Sequence, residues 1–276
     1  MPCICGAVII RQSNIISLMA SGLLCVFGPF TVFLLLRRKL SLKFIPFACG
    51  AILYMVFVLL IEHFYFDLLS GPDSPFKDAL IANPALYMLF AGFSAGIIEE
   101  GGRYLSFHIM KKWYSDFPVS ISSSLGFSSF DGIYHVGVRF IIYAILAIQH
   151  NFRVHAGNPG LEYLSIFRTL SQASFSEYLL AGLERILYGG IHIGLSTLVW
   201  YSVVKPGCTY LLYGSILLHA IFTAPAALRE IHVLQSPSIY FSVLASFSLV
   251  SLFIGFLVHR ADVRGRREPS DPFSLF

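Results

Sequence analysis

Asn83-Pro84-Ala85-Leu86-Tyr87-Met88-Leu89-Phe90-Ala91-Gly92-Phe93-Ser94-Ala95-Gly96-Ile97-Ile98-Glu99-Glu100-Gly101-Gly102-Arg103-Tyr104 is the stretch on which the reading of this chain turns. Its first half is apolar enough to lie in lipid, and its second half sets two adjacent carboxylates and a guanidinium into the same run. A charged side chain at a bilayer centre costs roughly 2.5–3.5 kcal/mol on insertion scales, so such groups persist in a span where they are paired or used. On a helix Glu99 and Arg103 stand at i,i+4 and Glu100 and Arg103 at i,i+3, so the guanidinium reaches either acid. Adjacent helical residues point about 100° apart, which lets one acid pair with Arg103 while the other faces elsewhere.

The remainder of the 276 residues shares that character, with 56% hydrophobic and 12% charged residues and a mean hydropathy of +0.74. A soluble domain carries about 25% charged residues, so the composition predicts an all-α, polytopic transmembrane helix bundle. The net charge of +4 is not a nucleic-acid signature, because the basic residues cluster beside apolar segments, where they set orientation. Membrane lipid is therefore the expected partner and nucleic acid is not. Cys3, Cys5, Cys25, Cys49 and Cys208 are scattered, and Cys3-x-Cys5 lacks the second pair that a zinc knuckle needs. Residues 1–13 carry only Arg11 and no cleavage-site pattern, so the first apolar run reads as a retained span.

A span needs about 20 apolar residues. On that rule the chain holds about seven (7–8), at 14–36, 43–65, 82–110, 118–148, 175–204, 208–229 and 238–260. Residues 66–80 and 149–168 read as turn-rich loops with room for a short interfacial helix. Residues 1–260 form one transmembrane domain with its polar core in 82–229, and 261–276 form a mobile cytoplasmic tail. Arg37, Arg38, Lys39, Lys43, Lys111, Lys112, Lys205, Arg260, Arg264, Arg266 and Arg267 fall on one side, against Arg11, Lys77, Arg153, Arg168 and Arg229 on the other. That bias predicts an outside N-terminus and a cytoplasmic C-terminus.

Polar residues recur at helical spacing inside the spans. Ser124, Ser128, Asp131, His135 and Arg139 form one stripe, Glu184, Tyr188, His192 and Ser196 a second, and Ser215, His219 and Thr223 a third. Counted from the outer span ends at about 1.5 Å per residue, Glu99, Glu100, His135, His192 and His219 lie within roughly 11 Å of one level. The same count pairs Arg139 with Glu184 and brings Asp131 toward Arg103. Two carboxylates and three imidazoles at one depth allow a carboxylate to take a proton from water while imidazoles hold the water or an oxyanion. The imidazoles of His135, His192 and His219 are also potential zinc ligands, leaving open a metal-dependent and a metal-free route.

Glu99-Glu100-Gly101-Gly102-Arg103-Tyr104, Gly132-Ile133-Tyr134-His135-Val136-Gly137, Glu184-Arg185 with His192-Ile193-Gly194-Leu195-Ser196, and Leu218-His219-Ala220 resemble the ordered motifs of the YhfC family. That family is similar to the PrsW proteases and the CAAX prenyl endopeptidases, together the CPBP intramembrane proteases. The resemblance covers about residues 20–230. It implies a plasma-membrane endopeptidase acting on a membrane-embedded peptide or protein, with Glu99 as base and His135 as its partner. It further implies Glu100 and Arg103 as scaffold, His219 as oxyanion donor and His192 completing the site. Thr223 stands where relatives carry Asn or Asp, and Arg139 where an acid is expected.

Other readings compete. Glu99, Glu100 and Arg103 also make a structural clamp, and charge neutralisation accounts for Glu184, Arg185 and Arg139. A non-catalytic or transport protein would use the same buried charges to relay protons or bind a small ion or ligand. Transporters commonly carry inverted repeats, and none is visible here.

Overall fold

The computed structural model describes residues 8–71, 74–156 and 164–267, and the regular structure of those residues is entirely helical. In chain order the helices are α1 (Gln12–Leu40), α2 (Phe44–Leu53), α3 (His63–Ser70), α4 (Pro75–Ala82), α5 (Pro84–Met110), α6 (Pro118–Gly132), α7 (Val138–His155), α8 (Leu164–Gln172), α9 (Phe175–Val204), α10 (Tyr210–Glu230) and α11 (Pro237–Arg267). A π-helical segment, Tyr54–Glu62, joins α2 to α3, and another, Ile133–Gly137, joins α6 to α7.

Among the described residues six helices are long and apolar enough to cross a membrane: Gln12–Leu40, Phe44–Leu69, Pro118–His155, Phe175–Val204, Tyr210–Glu230 and Pro237–Arg264. The seventh expected span is α5, 27 residues long, whose apolar character is diluted by Glu99, Glu100 and Arg103. Leu35, Phe64 and Leu249 are 71%, 70% and 68% exposed. Large apolar side chains so placed on helix after helix are what lipid contact requires and what a water-facing surface avoids. The predicted bundle of about seven spans is thus the observed class.

The breaks between helices follow from local chemistry. Ser74 caps α4 by accepting from the Phe76 N–H at 3.3 Å, with Pro75 in the first turn. Asn83 does the same for α5 through the Leu86 N–H at 3.2 Å, with Pro84 next. Such residues satisfy the orphan N–H groups of a helix start.

The structure corrects three boundaries. The expected loop at 66–80 is mostly helical, since α3 runs to Ser70 and α4 occupies Pro75–Ala82. The loop expected at 149–168 is shortened from both ends by α7, which reaches His155, and α8, which begins at Leu164. The turn at Gly157-Asn158-Pro159-Gly160 lies outside the described residues. So do Cys3 and Cys5. The expected mobile tail is helical as far as Arg267 in α11, and 268–276 lie outside the described residues.

The described chain divides into two compact units, Met1–Thr31 with Ser129–Ile186 and Val32–Ser128 with Leu187–Phe276. The first is built on Leu18, Cys25, Phe140, Ala144 and Tyr178. Polar ties lock its helices: Asn14 Nδ2 donates to the Leu170 and Ala173 carbonyls at 2.9 Å each, and Ser21 Oγ donates to the Tyr178 carbonyl at 2.8 Å. His150 is buried, with its Nε2 2.8 Å from the Val8 carbonyl and its ring stacked on Phe167.

In the second unit close approach of backbones sets the site. A Cβ at Gly92 would lie 2.6 Å from the Ala220 carbonyl oxygen, and one at Gly96 2.9 Å from that of Ile216. Only glycine lets α5 and α10 come this near, in the manner of small-residue interfaces in membranes. Gly194 plays the same part against the Ser251 backbone of α11, and Gly190 makes room for the Ser248 side chain. We expect Gly92→Val to force the helices apart and to destabilise the fold by about 1–3 kcal/mol. A lowered thermal unfolding midpoint of the detergent-purified chain would report this; an unchanged midpoint would contradict the packing.

Candidate active site

α5, α9 and α10 of the second unit each supply side chains to one buried polar cluster. Glu100 and Arg103 are 0% and 1% exposed, and Glu99, His192 and His219 are 8%, 5% and 5% exposed. Helical spacing puts both acids within reach of one guanidinium. Arg103 NH2 donates to Glu99 Oε2 at 3.0 Å, and NH1 donates to Glu100 Oε1. Arg103 therefore pairs with both acids. This differs from the sequence expectation that one of them would face elsewhere.

The imidazoles arrive from the facing helices. Arg103 NH2 stands 2.9 Å from His192 Nδ1. A guanidinium has no acceptor, so Nδ1 accepts and the neutral ring carries its proton on Nε2. His219 Nδ1 stands 2.7 Å from Glu100 Oε1, and because a carboxylate accepts, Nδ1–H is the donor. His219 Nε2 then faces Glu99 Oε1 at 3.7 Å. Glu100, held by Arg103 and His219 through one oxygen, is the anchored acid, and Glu99 sits at the more open edge of the cluster.

Phe127 of α6 covers the guanidinium, whose Cζ lies 4.2 Å from the ring centroid, a cation–π contact. The same ring meets His192 edge-on with centroids 4.8 Å apart. Sequence reasoning passed over Phe127, although it lies on the helical face of Ser124 and Asp131, where a stripe search that admitted aromatics would have found it. The buried hydroxyls of Ser124 and Ser128 have no hydrogen-bond partner, and neither has Glu100 Oε2.

Among the described residues Glu99, Glu100 and His219 could hold a metal ion, offering one ligand atom each within 4.8 Å of one another. Metal–ligand bonds of about 2.0–2.2 Å require the atoms somewhat closer than that, an adjustment open to side-chain rotation. The donors also suit a divalent cation. Two carboxylates against one guanidinium leave the set net negative when the rings are neutral, and the unpartnered Glu100 Oε2 is a spare acceptor. Of the three imidazoles considered as ligands from sequence, His219 belongs to this group, His192 adjoins it, and His135 belongs to the first unit. Thr223 is half-buried on α10, one turn beyond His219.

The first unit carries its own acid–arginine set. Asp131, 5% exposed, accepts from Arg185 NH1 at 3.3 Å, and Arg185 NH2 donates to Glu184. His135 Nε2 stands 3.6 Å from Asp131 Oδ1, with its side chain 46% exposed. Two expected pairs are thereby replaced. Glu184 meets its neighbour Arg185 rather than Arg139, whose guanidinium turns to the His135 carbonyl at 2.7 Å. Asp131 meets Arg185 rather than Arg103. The stripe expected from Ser124 to Arg139 is buried through Asp131 and exposed at His135 and Arg139, and it runs through the π-helical turn at Ile133–Gly137.

A family model described as YhfC intramembrane metalloprotease matches residues 23–244. The "Uncharacterized membrane protein YhfC" of Bacillus subtilis (strain 168) is 27% identical over 249 residues, covering 88% of this chain and 96% of that protein. No solved structure matches.

Proposed function

Because the chain belongs to the YhfC intramembrane metalloprotease family, we propose that it is an intramembrane endopeptidase that uses water to hydrolyse a peptide bond of a membrane-embedded substrate. The observation that carries this reading is the convergence of Glu99, Glu100 and His219 ligand atoms to within 4.8 Å in a buried polar group.

In this reading Glu99, at the open edge, takes a proton from the attacking water and later returns it to the leaving amine. Glu100 and Arg103 fix its position and offset its charge. His192, its Nδ1 engaged by Arg103, presents Nε2–H as a donor to the developing oxyanion, the role that the family resemblance gave to His219. His219, its Nδ1–H engaged by Glu100, keeps Nε2 as ligand or proton acceptor, an arrangement in which a carboxylate orients the ring. The Thr223 hydroxyl, a smaller donor than an amide, assists less than the Asn or Asp of relatives. Glu100 and His219 of that group would hold the metal, with Glu99 beside them as the base; we assign it as zinc from the carboxylate and imidazole donors, and when bound it would activate water and polarise a carbonyl. The plasma membrane, with the N-terminus outside and the C-terminus in the cytoplasm, is the proposed setting, following the bias of Lys and Arg.

The test measures metal and cleavage together. The purified wild-type chain is expected to retain about one equivalent of zinc and to cut a membrane peptide. Glu100→Gln and His219→Ala lose both the metal and the cleavage, and chelated wild type regains cleavage when zinc is restored. Wild-type cleavage that survives full metal removal, with His219→Ala equally active, would contradict this assignment.

A further inference from the structure

At the ends of α5 and α9 and the start of α10 the second unit holds an open cavity of about 530 Å³. Its lining includes Lys111, Lys205, His108, Tyr104, Ser202 and Thr209, and no carboxylate. Lys111 Nζ makes one long bond, to the Val203 carbonyl at 3.4 Å. Lys205 is ion-paired with Asp262. The His108 ring lies against Tyr104 with centroids 4.6 Å apart, and its Nδ1 is buried without a hydrogen-bond partner. Trp113, 69% exposed on the turn that follows α5, has the amphipathic character of residues at the membrane–water boundary. Lys111 and Lys205 belong to the more basic of the two sets of segment ends.

We propose that this cavity binds the phosphate group of an anionic ligand. Two ammonium groups, a ring nitrogen and the hydroxyls of Tyr104 and Thr209 are donors to an anion of many acceptor oxygens, while the Ser202 hydroxyl is engaged by the Val199 carbonyl at 2.7 Å; charge-assisted bonds of this kind are the strong ones. Basic pockets between spans characteristically take lipid head groups. A phospholipid at this boundary and free phosphate share the same chemistry, and the experiment separates them.

The full-length chain in detergent is offered phosphatidylglycerol and phosphatidylcholine, and bound lipid is counted by native mass spectrometry. Phosphatidylglycerol is expected to be preferred by about fivefold per engaged lysine. Lys111→Gln with Lys205→Gln brings the ratio toward unity. Lys112→Gln, an exposed neighbour outside the lining, leaves it in place. Thr209→Val keeps both charges and lowers the ratio in the same direction, which guards against a folding defect in the double variant. Millimolar inorganic phosphate that displaces the lipid makes the site one for free phosphate as well, and failure to displace it makes the head group the ligand; either outcome sustains a phosphate site. A ratio unchanged in the double variant, or lost equally in Lys112→Gln, would overturn the proposal.

Discussion

Exchange of Glu99 for glutamine is expected to lower cleavage of a membrane-embedded peptide by about 10²–10⁴-fold, the range a positioned general base supplies, while the chain stays folded. The contrast with Glu100 makes this specific. Glu99 is bonded to Arg103 through Oε2, and an amide oxygen at that place still accepts from the guanidinium. What the amide cannot do is take a proton from water. Glu100 is fully buried and is held by both Arg103 and His219, so Glu100→Gln loses stability along with activity. Equal cleavage by wild type and Glu99→Gln, at matched unfolding midpoints, would take the base role away from Glu99.

Arg103→Met destabilises the folded chain by about 3–5 kcal/mol, because removal of one partner strands the other charges in a buried site. Two carboxylates, 8% and 0% exposed, lose their common counter-ion, and His192 loses the donor to its Nδ1. Arg103→Lys keeps the charge and loses the fork that spans both acids, so it falls between the two. Removing all three charges in Glu99→Gln/Glu100→Gln/Arg103→Met recovers much of the loss, since no ion is then left uncompensated. Denaturant unfolding in mixed micelles measures the series. A wild-type midpoint for Arg103→Met would mean that the acids do not depend on this guanidinium.

What could be read from the residues divides along a physical line. The spans were legible because apolar runs bounded by Pro, Gly and charge clusters are local signals, and so was the reach of Arg103 to either acid, which helical spacing allows; that one guanidinium takes both Glu99 and Glu100 was not. His219 was marked by its stripe, yet its contact with Glu100 depends on Gly92 and Gly96 admitting α10 to the backbone of α5. The depth count assumed a uniform rise and turn. The π-helical segment Ile133–Gly137 breaks that assumption, and His135, though 3.6 Å from Asp131, has a side chain that is 46% exposed. It also treated Glu184 as needing a distant partner, when the adjacent Arg185 reaches both Glu184 and Asp131. Each unit thus repeats one solution, two acids sharing one guanidinium, with different spacings along the chain.

The central claim is that this buried group activates water against a peptide bond inside the bilayer. Its most direct test is cleavage by the purified, reconstituted chain in ¹⁸O-labelled water, with the products read by mass spectrometry. The account predicts a new C-terminus within the apolar segment of the substrate, bearing one ¹⁸O atom and absent with Glu99→Gln. Cuts confined to the soluble flanks of the substrate, or labelled product made equally by the Glu99→Gln chain, would contradict it.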